Sequence, residues 1–169
     1  YGAFYYTNDA DFSHRNEEGS AKAHFVEYEE GIYLGYKYYE TRYGGDETEY
    51  AKQMVYPFGY GLHYDDDKIT QTLGDVTLAD GTVTVSGTIK NSSARDVMEI
   101  VQIYYDPPYY KDGSGIEKAS KNLVAFDKIA VAAGEEKPFE IKFAAEDMAS
   151  YDYKGYYTDG KGSYVLEKG

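Results

Sequence analysis

The stretch Thr82-Val83-Thr84-Val85-Ser86-Gly87-Thr88-Ile89-Lys90-Asn91 decides the fold class. Val83, Val85, Gly87 and Ile89 point one way, and Thr82, Thr84, Ser86, Thr88 and Lys90 point the other. That two-residue period belongs to a strand with one face in a core and one in water. Asp80-Gly81 ahead of it is a hairpin signal, because both residue types accept the positive φ of a tight turn. Working outward, residues 75–78 predict a short first strand, and residues 91–95 a turn. Residues 98–105 are apolar on both faces and predict a central strand, flanked on both sides. Residues 122–129 predict a third strand. Ala133-Gly134-Glu135-Glu136 is a turn, after which Phe139, Ile141 and Phe143 alternate in a further strand. Residues 144–151 read as a short helical turn and residues 163–166 as a late strand.

Short strands punctuated by turns over residues 69–169 predict a fibronectin type III or immunoglobulin-like β-sandwich. Tyr151 is placed for a tyrosine corner, with its hydroxyl tied back to the backbone. The sandwich reads as lacking its last strand, since a glycine turn at Gly169 would hand over to one more, and an unpaired edge invites aggregation.

Residues 1–68 follow a different grammar, that of a linker or docking segment. Residues 1–22 are polar, turn-rich and extended in character. Tyr28, Ile32, Tyr36, Tyr39 and Tyr43 recur at helical spacing and predict one short helix with an aromatic stripe. Gly44-Gly45 stops it. Gly31 and Gly35 fall inside that spacing and weaken it by about 1 kcal/mol each, so the helix needs a surface to lean on. Tyr56-Pro57-Phe58-Gly59-Tyr60-Gly61-Leu62 reads as an aromatic-anchored loop leading into Asp65-Asp66-Asp67, an acidic linker. The fold class is therefore mainly β: a sandwich preceded by an irregular segment with one short helix.

The chain has 169 residues, with 17 Lys+Arg against 30 Asp+Glu, a formal charge of −13. That balance argues against a nucleic-acid partner, which needs Lys and Arg for phosphates, and against a basic membrane-surface face. With no Cys there is no disulfide frame, thiolate metal site or cysteine nucleophile, and the compartment stays open between cytoplasmic and secreted. The opening Tyr1-Gly2-Ala3-Phe4 has neither an initiator Met nor the basic region of a signal peptide, and reads as part of a longer chain. His14, His24 and His63 lack ligand spacing, and Asp9 and Asp11 lack the remainder of a calcium loop. No metal or cofactor is expected. The 22 tyrosines call for an account of their own. Tyr109 and Tyr110 beside the stiff Asp106-Pro107-Pro108 turn are candidates for stacking on a sugar. Tyr33, Tyr36, Tyr39, Phe58 and Tyr60 are candidates for packing against a neighbouring domain.

Residues 30–41, Glu30-Gly31-Ile32-Tyr33-Leu34-Gly35-Tyr36-Lys37-Tyr38-Tyr39-Glu40-Thr41, resemble the segment of glycoside hydrolase family 3, the β-glucosidase family, that leads into its C-terminal domain. Residues 56–62 resemble the stretch just before that family's fibronectin type III-like domain. Residues 97–105, 117–126, 133–135 and 147–152 are similar to successive strands and turns of it. Lys37 stands where the family often has Arg, and His63 where it often has Ser. The resemblance implies a parent enzyme that hydrolyses terminal β-linked sugars with retention. Its Asp nucleophile lies in a barrel and its Glu acid/base in an α/β sandwich domain. Neither catalytic motif matches any position here, so no catalytic residue is carried over. This stretch is expected to be inactive alone. It would stabilise those two domains, in cis or as a second chain, and possess a loop to lend to the cleft for the β-linked oligosaccharide or glucoside. The alternative from the residues alone is a stand-alone carbohydrate-binding or adhesion module on a β-sandwich.

Overall fold

The computed structural model describes residues 5–6, 26–27, 30–62, 64–110 and 113–167. His14, His24, His63, Tyr28, Asp9, Asp11 and most of the 1–22 stretch lie outside them. Among the described residues, nine strands and two helices follow in chain order. Strands β1 (Tyr5–Tyr6) and β2 (Val26–Glu27) pair with each other, then come helices α1 (Tyr36–Tyr43) and α2 (Glu47–Gln53). The sandwich strands are β3 (Ile69–Ala79), β4 (Thr82–Asn91), β5 (Val97–Tyr105), β6 (Asn122–Val131) and β7 (Glu136–Ala144). A 3-10 turn (Ala145–Met148) leads to β8 (Ser150–Asp152) and β9 (Ser163–Val165), which pair with each other.

The fold is mainly β, a sandwich of the expected kind. One sheet runs β3-β4-β7 and faces a second made of β5-β6, all antiparallel. The alternation in β4 does what its sequence predicts: Val83, Val85 and Ile89 are buried. Between the sheets, Ile69, Ile89, Val101, Val131, Phe139 and Ile141 form one core cluster, and Val83, Val85 and Ala145 a second. Gly87 lies opposite Phe139 in the register. A Cβ there would come within 2.4 Å of the Phe139 ring and 2.5 Å of the Thr72 carbonyl, so only glycine lets that ring into the core. Asp80 and Gly81 both have positive φ and close the two-residue β3–β4 hairpin.

Asn91 ends β4 fully buried. Its Nδ2 donates to the carbonyls of Arg95 (2.7 Å), Ala132 (3.0 Å) and Val131 (3.2 Å), and its Oδ1 accepts from the Ser93 amide. One side chain thus stitches the β4–β5 turn to the end of β6, in the other sheet.

Several expectations need correction. The first strand is longer than residues 75–78, because a bulge between Leu73 and Val76 breaks the sequence pattern. There the Ser86 hydroxyl bonds both the N–H and the carbonyl of Asp75. Gly31 and Gly35 are not inside a helix. Both have positive φ in the turns that precede α1, and Gly35 caps its start. A second helix, α2, follows α1 and is capped by Asp46, whose carboxylate accepts from the Glu49 amide at 3.0 Å. Strand β5 pairs with β6 on one side only among the described residues, so it is not flanked on both. Among the described residues, Tyr151 forms no tyrosine corner. Its ring packs on Tyr164 across the β8–β9 pair, 5.2 Å between centroids.

The inner face of β3 is only part-covered. Leu73, Val76 and Leu78 are 67%, 59% and 66% exposed. They line an apolar groove of about 530 Å³ with Val83, Val85, Ile103, Tyr104 and Phe143.

Candidate binding cleft and docking seam

The docking seam is built from three rings. Helix α1 presents Tyr36, the Pro57-Phe58-Gly59 loop presents Phe58, and the end of β5 presents Tyr104. Centroids are 5.1 Å apart for Tyr36–Phe58, 4.8 Å for Phe58–Tyr104 and 5.7 Å for Tyr36–Tyr104, the last two edge to face. Such pairs add about 1 kcal/mol each beyond the area they bury. The Tyr36 hydroxyl accepts from the Leu123 amide at 3.2 Å, the Tyr50 hydroxyl accepts from the Phe58 amide at 2.8 Å, and the Lys121 ammonium lies 5.8 Å from the Phe58 ring. Thr41 adds a polar tether. Buried on α1, its hydroxyl donates to the Lys37 carbonyl and accepts from the Ser120 amide at 2.9 Å. The linker segment is thereby bound to the sandwich of the same chain at β5 and at the loop before β6.

That loop, residues 106–121, is braced at several points. Lys121 pairs with Asp106 at 3.0 Å across its base. Lys118 pairs with Glu167, both side chains nearly fully buried, which ties the loop to the chain after β9. Burial pushes the Lys118 ammonium pKa down. The Tyr156 hydroxyl donates to the Gly113 carbonyl at 3.0 Å. Beyond β8, Asp152 is fully buried and organises the turn to β9, with Oδ2 accepting the Tyr157 amide at 2.7 Å. Burial pushes its carboxyl up, but the amides of Tyr157, Tyr156 and Gly155 outweigh that and leave it below its ordinary value.

Between α1, the 106–121 loop and the β8–β9 pair lies a cleft of about 820 Å³. Tyrosines 33, 105, 151, 153 and 164 wall it, with Glu117, Glu30, Lys37 and Asn122 among its polar groups. Glu117 sits between two phenols: Tyr33 donates to Oε1 and Tyr153 to Oε2, each at 3.4 Å. Burial, then the Glu117 carboxylate, push the Tyr33 hydroxyl up to about 12.

The residues singled out from sequence fall in different places. Tyr36 and Phe58 lie in the seam. Tyr33 lies in the cleft. Tyr39 stacks on Tyr43 along α1, and Tyr60 stacks on Tyr56 at 4.8 Å on an exposed loop. Tyr109 and Tyr110 are half-exposed and line neither the cleft nor the seam. Tyr110 is held from within the chain: Gly115 lies against its ring, and Lys118 sits 5.6 Å from its centroid. Asp65 pairs with Lys68 at 3.3 Å and Arg95 at 3.4 Å. Sequence reasoning missed Thr41, Glu117, Tyr153 and the Lys118–Glu167 pair. The run Tyr153-Lys154-Gly155-Tyr156-Tyr157 was the one available signal, with Lys154 between the rings of Tyr153 and Tyr156.

Known proteins are similar to this chain in sequence and fold. Residues 99–169 match the fibronectin type III-like domain. The chain is 36% identical over 160 residues to β-glucosidase A of Butyrivibrio fibrisolvens, covering 86% of this chain and 18% of that protein. It is 34% identical over 146 residues to an exo-α-(1→6)-L-arabinopyranosidase of Bifidobacterium longum, covering 85% and 17%. Among solved structures, a β-glucosidase from Paenibacillus barengoltzii superposes with a TM-score of 0.65 at 33% identity, over 85% of this chain and 15% of that one. A glycoside hydrolase family 3 β-glucosidase of Bifidobacterium adolescentis matches with a TM-score of 0.59 at 28% identity, over 85% and 18%. The chain spans less than a fifth of the length of these proteins. It belongs with the family 3 glycoside hydrolases, as their C-terminal region with its fibronectin type III-like domain.

Proposed function

We propose that this chain is a non-catalytic scaffold within a family 3 glycoside hydrolase whose whole reaction is hydrolysis of terminal β-linked sugars with retention. Residues 1–68 are the linker from the end of a preceding α/β domain. Residues 69–169 are the sandwich, which takes one more strand along the unpaired side of β5. Its partners are the catalytic barrel and the α/β sandwich domain, met through Tyr33, Tyr39 and Tyr60, while Tyr36 and Phe58 dock the linker on the sandwich. The 106–121 loop, carrying Tyr109 and Tyr110, is offered to the substrate cleft. Neither nucleic acid nor membrane is a partner.

The observation that carries this reading is the Tyr36–Phe58–Tyr104 seam. A segment with two short helices and little core of its own is clamped to the sandwich by aromatic contacts and by Thr41. Whatever precedes it in the chain is then held at a set place relative to the sandwich, which is what a scaffold must do. A second argument comes from the relatives. The same segment is nearly equally identical to a protein named for an α-linked arabinopyranoside and to one named for a β-glucoside. A segment shared so evenly does not choose the sugar; residues elsewhere do.

The test has two arms. The chain alone is assayed against p-nitrophenyl β-D-glucopyranoside, and no turnover is expected; robust turnover overturns the reading. The matching segment of the B. fibrisolvens enzyme is then either deleted or replaced by this chain. Loss of soluble active enzyme on deletion, with recovery in the hybrid, is the expected result. A deletion variant that stays soluble and fully active overturns the stabilising role.

A further inference from the structure

We propose that the cleft between α1, the 106–121 loop and the β8–β9 pair binds a neutral oligosaccharide, with Tyr151, Tyr153 and Tyr164 as stacking surfaces and Glu117 as the acceptor for sugar hydroxyls.

The cleft's size is the first argument. At about 820 Å³ it falls within the range of small-molecule sites, and its walls come from five separate stretches of chain rather than from one loop. The second argument is its aromatic content. Tyr164, Tyr153 and Tyr151 are 74%, 51% and 50% exposed at its edge. Flat rings with polar tips match a pyranose, which offers C–H faces to a ring and hydroxyls to its rim.

The third argument is charge. Lys118 is committed to Glu167, so the remaining charged lining is Lys37 against two carboxylates, Glu30 and Glu117. A phosphate or carboxylate ligand would meet net repulsion there, and a purely apolar ligand would strip water from those charges without replacing it. A neutral polyhydroxyl ligand avoids both penalties.

The fourth argument is the state of Glu117. An ionised carboxylate offers about four acceptor positions. Here the phenols of Tyr33 and Tyr153 contact it at 3.4 Å, well beyond the roughly 2.7 Å of a good O–H···O bond. The carboxylate is oriented by both phenols and saturated by neither. It can accept two sugar hydroxyls in short, charge-assisted bonds. The frame around it is pre-organised by the Thr41–Ser120, Lys121–Asp106 and Lys118–Glu167 contacts, so little ordering cost falls on binding.

This site goes beyond the scaffold reading and stands or falls separately from it. A chain that docks without binding sugar refutes this inference alone.

Saturation-transfer NMR and calorimetry on the 169-residue chain with cellobiose, xylobiose and laminaribiose test it. At least one disaccharide is expected to bind with a millimolar Kd, as suits an open site. Tyr164→Ala, at the most exposed ring, folds normally and weakens binding about tenfold, the equivalent of one stacked ring. Glu117→Gln weakens it by a similar factor. Bound disaccharide also protects the cleft tyrosines from nitration. Inorganic phosphate, run as the anion control, neither binds nor competes. Three results overturn the proposal: no binding of any of the three at tens of millimolar; binding that neither substitution changes; or a phosphate that binds in the cleft more tightly than the sugars.

Discussion

Replacing Phe58 by Ala should undock the linker segment while leaving the sandwich folded. The ring is half-buried, so its removal forfeits about half of the 3–5 kcal/mol typical of a core Phe→Ala change, or about 2 kcal/mol. It also loses its contacts with Tyr36 at 5.1 Å and Tyr104 at 4.8 Å, worth about 1 kcal/mol together after allowing for partial exposure. The Lys121 ammonium 5.8 Å from the ring lies at an exposed site and adds little. The total, about 3 kcal/mol, corresponds to roughly a hundredfold rise in the undocked population. Limited proteolysis reads that population directly when opening is faster than cleavage. Cleavage within residues 44–62 should accelerate by between tenfold and a hundredfold, while the core amides of β4 and β7 keep their hydrogen-exchange protection. A cycle with Tyr104→Ala should show coupling, since the two rings share one contact. Cleavage within a factor of two of the parent, or no coupling to Tyr104, would refute the view that this seam holds the linker in place.

Asn91→Asp should cost more than about 4 kcal/mol, because a buried carboxylate would face three carbonyls that now accept hydrogen bonds. A urea midpoint shift equivalent to less than about 1 kcal/mol would contradict that account of the turn. Tyr33 should titrate late: its hydroxyl is pushed from 10.0 up to about 12, so the folded state keeps a proton that the unfolded chain loses. That linkage stabilises fully below pH 10 and is lost as pH rises towards 12. Tyr33→Phe should remove the last phase of the tyrosinate absorbance titration, and an unchanged late phase counts against the Glu117 contact.

Much of the sandwich was legible because its signals are local. The alternation of Val83, Val85 and Ile89 and the Asp80-Gly81 turn needed no tertiary knowledge, and β4 runs over the residues they mark. Strand β3 looks shorter in the sequence than it is because its bulge at Gly74-Asp75 breaks the period, and the Ser86 hydroxyl across the hairpin bridges the break. The glycines before α1 were misplaced because spacing says nothing about the sign of φ. The cleft was less legible still. Glu117 has no distinguishing sequence context, and its meaning comes from Tyr33 and Tyr153, which lie 84 and 36 residues away. Likewise Thr41 reads as an ordinary helical threonine until Ser120 is placed beside it.

The apolar groove beside β5 links stability to assembly. Leu73, Val76 and Leu78 of β3 share the inner face of the β3–β4 hairpin with Val83 and Val85 of β4, yet nothing among the described residues covers them fully. Covering about two-thirds of each side chain would contribute roughly 4 kcal/mol by area transfer, against a typical domain stability of only about 5–15 kcal/mol. A strand added along β5 would therefore stabilise the sandwich by a large fraction of its total, and would pair the edge that has no strand partner among the described residues. The effect of a substitution in the groove then depends on what covers it. Leu73→Ser and Leu78→Ser should change the stability of the 169-residue chain by no more than about 0.5 kcal/mol each, the behaviour of exposed positions. In a hybrid carrying this chain within a complete family 3 enzyme, the same two substitutions should cost about 2 kcal/mol each, because the lost methyl groups would be buried there. Equal effects in the two settings would mean that the groove stays open in the assembled enzyme, and that the sandwich does not need a further strand to complete its core.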